Sequence, residues 1–214
     1  METEIRYYYS INCKDDILEF LNSFEELKCM GTFYECTDQW NHPMKEFDFY
    51  GKEIDGRFRV RKTTNESSKK CMISWKRRAE DFDGDVIHRE EEVEVSINPE
   101  DYDRLCYLLE SVLHMRLVES YERYRTVYSN EDVEVVLDEY PFGLCIEIEC
   151  KNDTGDEKEV VEEWVHKLNF KLEEAYKLSW DDKYAELCEE QNKPVEKQVR
   201  FDKDMPSIDT LFIR

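Results

Sequence analysis

The sequence has no apolar run close to the roughly 20 residues that a transmembrane helix needs, so we expect no membrane span. Basic residues are also scarce, because 30 Lys and Arg stand against 52 Asp and Glu and give a net charge of -22. This balance opposes general binding to nucleic acid or to anionic membranes. Any polyanion that binds must be attracted by a local group of basic residues.

The eight cysteines include no C-x-x-C pair, and the four histidines are scattered without the spacing of zinc ligands. No apolar signal segment stands before the cysteines. We therefore expect reduced thiols and a cytoplasmic location, with a disulfide framework or a structural zinc site as the alternatives. The sequence also has no internal repeat and no low-complexity segment.

The 214 residues are long enough for one substantial core, and an apolar fraction of 40% with 13% aromatic residues is too high for a disordered chain. We expect one folded domain over residues 1–190. The tail over residues 191–214 mixes charge with short apolar runs, so packing onto the domain and fraying both remain open.

Charged and apolar residues alternate in several predicted strands, which places one kind of side chain on each face. The first example puts Glu2, Glu4 and Arg6 on one side of the opening segment. Residues 57–61 repeat it with Arg57, Arg59 and Arg61 opposite two apolar residues. The other segments with this pattern are residues 71–78, 88–97, 123–125, 133–138 and 144–149. An aromatic-rich segment over 32–50, interrupted at 41–43, is also predicted to be strand.

Apolar residues recur at helical spacing over residues 15–28, 102–113 and 161–172, and a further helical piece lies near 184–188. Asn98 and Pro99 are a suitable cap and first position for the second helix. We expect the first helix to end near Gly31, and turns at Gly51, residues 55–56, 83–85 and 153–155.

Strands with one apolar and one charged face can form a sandwich whose charged faces meet water. They can also form a closed barrel in which helices cover an apolar exterior and the charges line the inside. Three helices with strong apolar stripes need a surface to cover, so we favour the second arrangement. The predicted fold is α+β, a closed antiparallel β-barrel of about eight strands with helices packed outside.

A barrel interior that carries both signs of charge must stay hydrated, pair its charges or bind a ligand. Guanidinium groups suit a linear polyphosphate. The candidate phosphate-binding residues are Arg6, Arg57, Arg59, Arg61, Lys76, Arg78, Arg123 and Arg125. Carboxylates would repel that anion unless they hold Mg²⁺ or Mn²⁺, which prefer oxygen ligands. The candidate carboxylates are Glu2, Glu4, Glu92, Glu94, Asp138, Glu147 and Glu149.

These residues resemble the CYTH superfamily of triphosphate tunnel metalloenzymes. Its opening E-x-E-x-K motif is matched by Glu2, Glu4 and Arg6, with Arg in the place of the usual Lys. Further similar segments, in family order, are Asp48-Phe49-Tyr50, Arg59-Val60-Arg61, Trp75-Lys76, residues 88–94, Asp138 with residues 143–149, and residues 183–187. The resemblance runs from residue 2 to about residue 190.

The resemblance implies hydrolysis of an inorganic or organic triphosphate inside a tunnel, with Mg²⁺ or Mn²⁺ as cofactor. It implies that Glu2, Glu4, Glu147 and Glu149 hold the metal with Asp138 nearby, and that Glu92 and Glu94 are further tunnel carboxylates. We expect Lys76 and Glu4 to act in catalysis. The expected partner is a small molecule that contains a triphosphate, and the oligomeric state is left open.

Three other functions remain possible at this point. A class IV adenylyl cyclase would convert ATP to cyclic AMP and pyrophosphate, and it would need an adenine pocket that no residue here defines. A binding module would keep the basic lining and tolerate the loss of a metal carboxylate, yet the carboxylate pairs that open and close the pattern are both intact. A plain acidic sheet protein would present the charged stripes to water.

Overall fold

The structure is a computed structural model that describes residues 1–49, 54–79, 85–152 and 154–213. Within these residues the chain forms nine strands and four α-helices. The strands are β1 (Glu2–Tyr9), β2 (Lys28–Asn41), β3 (Gly56–Thr64), β4 (Lys69–Arg78), β5 (His88–Ile97), β6 (Arg116–Ser129), β7 (Val133–Tyr140), β8 (Gly143–Cys150) and β9 (Gln198–Val199). The helices are α1 (Lys14–Asn22), α2 (Tyr102–Tyr107), α3 (Glu157–Lys167) and α4 (Trp180–Glu190).

Eight of these strands close into an antiparallel barrel in the order β2-β3-β4-β5-β1-β8-β7-β6, and pairing between β2 and β6 completes the ring. The short β9 adds to β6 in parallel. The ring confirms the predicted closed barrel and excludes the sandwich. Its weakest junction joins β1 to β5, where only residues 2–4 pair with residues 88–90.

The register sends charged side chains inward and apolar ones outward. Along β1 and β8, Glu4 lies opposite Glu149 and Arg6 lies opposite Glu147, whereas Ile5 lies opposite Ile148. Because successive residues of a strand point to opposite faces, the alternation in the sequence becomes a charged interior. The inward and outward directions predicted for these strands are therefore confirmed.

The apolar exterior is buried by helices. On β1, β7 and β8 it packs against α1 and α3, through residues such as Leu21 and Val165 that have no exposed area. The helix α2 covers Val60 and Cys71 on the outside of β3 and β4. The helix α4 contributes Trp180 to a cluster with inward-pointing aromatic residues at one end of the barrel.

The first helix is shorter than predicted. It ends at Asn22, where Ser23 donates a hydrogen bond from its hydroxyl to the carbonyl oxygen of Phe20 at 2.6 Å. The apolar spacing continues to Leu27, which is buried after a turn and not in a helix. Gly31, the predicted helix end, lies inside β2 with φ of +112°, at a shift in the pairing register with β6.

Other boundaries also differ from the predicted ones. The segment 32–50 stops being strand at Asn41, which confirms the interruption, and Lys45–Phe47 then forms a 3-10 turn. A π-helical turn over Leu108–Val112 follows α2, and Val112 and Leu113 are exposed although the pattern placed them on the buried stripe. Leu172 belongs to a separate 3-10 turn beyond α3. Tyr50, Gly51, Asp83, Gly84 and Asp153, which were assigned to motifs or turns, lie outside the described residues.

The tail packs against the barrel after α4. Met205 and Ile208 are buried, and the backbone N–H of Ser10 donates to the carbonyl oxygen of Thr210 at 2.7 Å. The ring of Phe212 lies 5.3 Å from that of Tyr9. No helix in the described part of the chain is long and apolar enough to cross a membrane.

Candidate active site

The barrel encloses a cavity of about 310 Å³ whose lining is mainly charged. Every predicted site residue except Asp138 lines it. They are Glu2, Glu4, Arg6, Arg57, Arg59, Arg61, Lys76, Arg78, Glu92, Glu94, Arg123, Arg125, Glu147 and Glu149. The barrel therefore gathers both signs of charge from strands that are far apart in the sequence.

A cluster of three carboxylates around Lys76 lies on the wall formed by β1, β4 and β5. Oxygen atoms of Glu2, Glu4 and Glu90 all lie within 4.8 Å of one another. The Nζ atom of Lys76 lies 2.8 Å from Glu2, 3.3 Å from Glu4 and 2.5 Å from Glu90. Three converging carboxylates are a donor set that suits Mg²⁺ or Mn²⁺, so the residues present fit the expected metal.

Burial and neighbouring charges shift the pKa values of the carboxylates in and beside this cluster. Burial, together with the nearby carboxylates of Glu2 and Glu4, raises the pKa of Glu149 to about 8. Burial also raises the pKa of Glu2 to about 7, although Lys76 opposes the change. Glu4 differs, because Lys76 and Arg6 outweigh its burial and hold its pKa well below the usual range. The cavity thus holds more carboxylates than its own cations can neutralise.

Asp138 is placed differently from the other predicted carboxylates. Its side chain has no exposed area, and its oxygens accept hydrogen bonds from Arg123 at 2.7 Å and from Arg125 at 2.6 and 2.7 Å. It therefore lies behind the two arginines and not at the carboxylate cluster. Its place beside the metal stays a prediction, and in this structure both of its oxygens accept hydrogen bonds from guanidinium groups.

Glu147 lies near arginines from two other strands of the barrel, β6 and β1. It accepts a hydrogen bond from Arg125 at 2.7 Å, and its other oxygen lies 3.8 Å from the Nε atom of Arg6. Arg6 also donates to Glu4 and, at 3.4 Å, to the carbonyl oxygen of Leu178. Glu147 thus lines the cavity as predicted, with one oxygen bonded to Arg125 and the other near Arg6.

The remaining arginines are fixed by hydrogen bonds to side chains of other strands and of the turn before β3. Arg59 donates to Ser74 at 3.1 Å and to Glu92 at 2.8 Å. Arg61 donates to Thr37 at 3.3 Å, and Arg57 donates to Asp55 at 2.9 Å. These bonds hold the guanidinium groups toward one cavity without the side-chain freedom of a surface arginine.

Arg78 is weakly neutralised by the described carboxylates. Among these, the oxygen closest to it belongs to Asp55 and is 3.8 Å away. Burial lowers its pKa, and the positive charges of Arg6 and Arg57 add to this effect beyond what Asp55 restores. A bound anion would relieve that repulsion.

Several cavity residues were not selected from the sequence as site residues. Glu90, Glu134 and Tyr121 occupy inward positions of β5, β7 and β6, so the same alternation that selected their neighbours could have found them. Asp181 reaches the cavity from the start of α4, where no strand pattern applies. Asp55 comes from the turn before β3, and a turn has no periodicity that predicts direction.

Comparison with known families gives one decisive match, because the model of the CYTH domain matches residues 2–178. The chain belongs to the CYTH family. The family match covers both the β1 carboxylates and the β8 carboxylates of the cavity. No match was found among the curated protein sequences.

Solved structures show the same fold. The PH1819 protein from Pyrococcus horikoshii OT3 has a TM-score of 0.67 at 22% identity, over 87% of this chain and 99% of that one. A candidate adenylate cyclase from Vibrio parahaemolyticus has a TM-score of 0.62 at 13% identity, over 85% and 95% of the chains. HpAC1 from Hippeastrum, a candidate adenylyl cyclase with a dominant triphosphatase activity, has a TM-score of 0.59 at 18% identity, over 92% and 100%.

Proposed function

We propose that the protein is a metal-dependent triphosphatase that hydrolyses its substrate inside the barrel. The observation that carries the proposal is the meeting of a carboxylate cluster and a set of fixed arginines in one cavity of about 310 Å³. A linear triphosphate with divalent cations needs both kinds of group at once. Membership of the CYTH family supports the same reaction class.

The metal would be held by Glu2, Glu4 and Glu90, with Glu149 beside Glu4 on the neighbouring strand β8. When bound there, Mg²⁺ or Mn²⁺ would neutralise charge on the terminal phosphoryl group and polarise it toward attack by water. Lys76 stays positively charged, because the carboxylates of Glu4 and Glu2 outweigh its burial and keep its pKa above the usual range. It can therefore bind a phosphate oxygen at the edge of the cluster.

The arginines would bind and align the phosphate chain. Arg123 and Arg125 are held by Asp138, so their guanidinium groups are oriented before the substrate arrives. Arg59 and Arg61 lie on the neighbouring wall. Preorganised positive charge of this kind stabilises the charge that spreads over the transferred phosphoryl group.

We further propose that the preferred substrate is inorganic triphosphate. The aromatic residues of the lining pack on one another, with ring centroids of Tyr121 and Trp180 4.2 Å apart and those of Tyr140 and Trp180 6.1 Å apart. Among the described lining residues, Met72 is the remaining large apolar side chain. A nucleobase would therefore find little surface to stack on.

The test is to supply purified protein with triphosphate, ATP and thiamine triphosphate, each with Mg²⁺ or Mn²⁺, and to measure every product. We expect phosphate release that is fastest from inorganic triphosphate and absent in a chelator. Arg59→Ala should raise KM, by about 10- to 150-fold if one charge-assisted contact of roughly 1.5–3 kcal/mol is lost. Glu163→Gln on the exposed face of α3 is the matched control.

Two outcomes would replace the proposal. Cyclic AMP and pyrophosphate as the main products from ATP would assign the adenylyl cyclase reaction, which the names of two similar structures also suggest. Triphosphate binding without turnover under any metal would assign a binding module.

A further inference from the structure

The second half of β5 is the edge of a sheet. Residues 91–97 pair with β4, where Arg77 lies opposite Glu91 and Cys71 lies opposite Ile97. On the other side, the ladder with β1 ends at the pair Glu2 and Glu90. No other strand among the described residues lies beside residues 91–97. An edge of this kind offers unpaired backbone N–H and C=O groups to another chain.

The two faces of this edge differ in chemistry. Val93 and Val95 point outward, and each has 54% of its surface exposed. They extend an apolar column, because Val93 lies opposite Trp75 and Val95 lies opposite Ile73. Glu94 points to the other face, where it lines the cavity and makes no salt bridge with any described residue.

We propose that residues 91–97 bind an extended basic segment of a partner protein, which adds as a strand to β5. In that segment Lys or Arg would alternate with Val or Ile. The apolar side chains would cover Val93 and Val95, and the basic ones would face the exposed Glu94. Backbone pairing would supply affinity, and the alternation of side chains would supply specificity, as in other cases of strand addition.

Charge selects this occupant over a second copy of the chain. Two β5 edges paired with each other would bring the carboxylates of Glu92 and Glu94 beside those of the second copy, and like charges in cross-strand positions are destabilising. Each copy also has a net charge of -22. Inward charges at an edge are a known protection against self-association. The same charges attract a basic strand.

The first test uses two labelled synthetic peptides of nine residues, followed by fluorescence anisotropy. One alternates Lys with Val, and the other has the same composition with all lysines in one block. We expect the alternating peptide to bind at least about fivefold more tightly, because only it can present both faces correctly. Equal affinity of the two peptides would show simple attraction to an acidic protein and would overturn the proposal.

The second test determines whether the peptide binds at β5. Glu94→Lys reverses the charge, and Val93→Ser removes apolar contact without a change in charge. Each should weaken binding of the alternating peptide by about fivefold or more, whereas Glu163→Lys on α3 should change it less than about twofold. Circular dichroism checks the fold, and Val95→Ser replaces any variant that unfolds. Equal effects of all variants would overturn the proposal.

A second copy is tested by sedimentation of the protein alone. If the protein forms a dimer that Val93→Ser dissociates, the edge serves self-association, and the proposal of a basic partner would be overturned. A monomer at all concentrations, together with edge-specific peptide binding, supports it.

Discussion

Arg6 stands where the CYTH motif has lysine, and its contacts explain how the site accommodates the change. Its guanidinium donates to Glu4 and to the carbonyl oxygen of Leu178, and it lies near Glu147. A planar group with five donors can join these acceptors, whereas an ammonium group could not span them in the same way. Arg6 remains protonated, so we assign it to binding and orientation and not to proton transfer.

At the same scale, Glu149→Gln should abolish most of the metal-dependent turnover. The substitution removes a carboxylate from the wall that we propose holds the metal, and it keeps the shape of the side chain. We expect kcat to fall by about 10²-fold, a usual result for the loss of one electrostatic group in an active site. Steady-state hydrolysis of triphosphate with Mg²⁺ and with Mn²⁺ measures it.

The fold of Glu149→Gln should be intact, because burial and Glu2 already raise the pKa of Glu149 to about 8 and disfavour its charge. Its Tm at pH 8 should equal or exceed that of the unaltered protein. Unchanged hydrolysis in the folded variant would remove this strand from the metal site.

His88 gives a prediction about acid stability. It is buried, and burial together with the positive charges of Arg6 and Arg78 lowers its pKa to about 4. Between the unfolded pKa of about 6.5 and this value the unfolded chain binds more protons, so stability falls as pH falls. His88→Gln should lose this part of the pH dependence, about 3 kcal/mol between pH 6.5 and 4.

Urea unfolding of the unaltered protein and of His88→Gln at several pH values would measure the difference. Carboxylates that do not interact with His88 affect both proteins alike and cancel in the comparison. Glu4 interacts with His88, so its contribution is part of the difference that is measured. Parallel stability curves for the two proteins would show that His88 does not titrate in this way.

At the scale of elements, Leu21→Ala should destabilise the fold without changing the cavity. Leu21 is fully buried between α1 and the exterior of the barrel. Truncation of a buried leucine lowers the free energy of unfolding by about 2–5 kcal/mol. Glu19→Ala, at an exposed position of α1, is the control and should change stability little. A large loss of triphosphate affinity in folded Leu21→Ala would contradict the separation of this core from the site.

The end of the helix α1 was not predicted correctly from the spacing of apolar residues. Leu27 continues the spacing of Leu21, so periodicity alone extends the helix to residue 28. The helix ends earlier, at the point where both the hydroxyl and the backbone N–H of Ser23 donate to the carbonyl oxygen of Phe20. Leu27 is nevertheless buried, so the pattern correctly predicted burial and not conformation.

The alternation of residues in the strands predicted the lining of the cavity better than helical spacing predicted the ends of the helices. Strict alternation fixes the face of each residue, which is why Glu2, Glu4 and the arginines of β3 and β6 could be assigned to one interior. Alternation shows which face a residue occupies but not which charged residues pair with each other. The hydrogen bonds from Arg123 and Arg125 to Asp138 could therefore not be predicted from the sequence pattern. Strand alternation also cannot predict that Asp181 lines the cavity, because Asp181 lies in a helix.

For the whole molecule, metal should raise thermal stability. Carboxylates crowd one wall of the cavity, and a ligand that binds only the folded state stabilises it by about 2.7 kcal/mol at 100 times its Kd. A protein of this size should then gain roughly 5–10 °C in Tm at saturating Mn²⁺ and pH 8, relative to chelator. Differential scanning fluorimetry measures it.

Glu2→Gln should show a smaller metal-induced rise, and the surface variant Glu163→Gln should show the full rise. An equal rise in all three proteins would place the effect outside the carboxylate cluster.

Closure of the barrel has a consequence for how the chain reaches its native state. The pairing of β2 with β6 joins residue 28 to residue 129 and residue 41 to residue 116. Contacts between such distant positions require the chain between them to lose conformational entropy first. This entropic cost slows folding. Until that step, β2 and β6 are open edges that can pair with other chains, so refolding should be cleanest at low protein concentration.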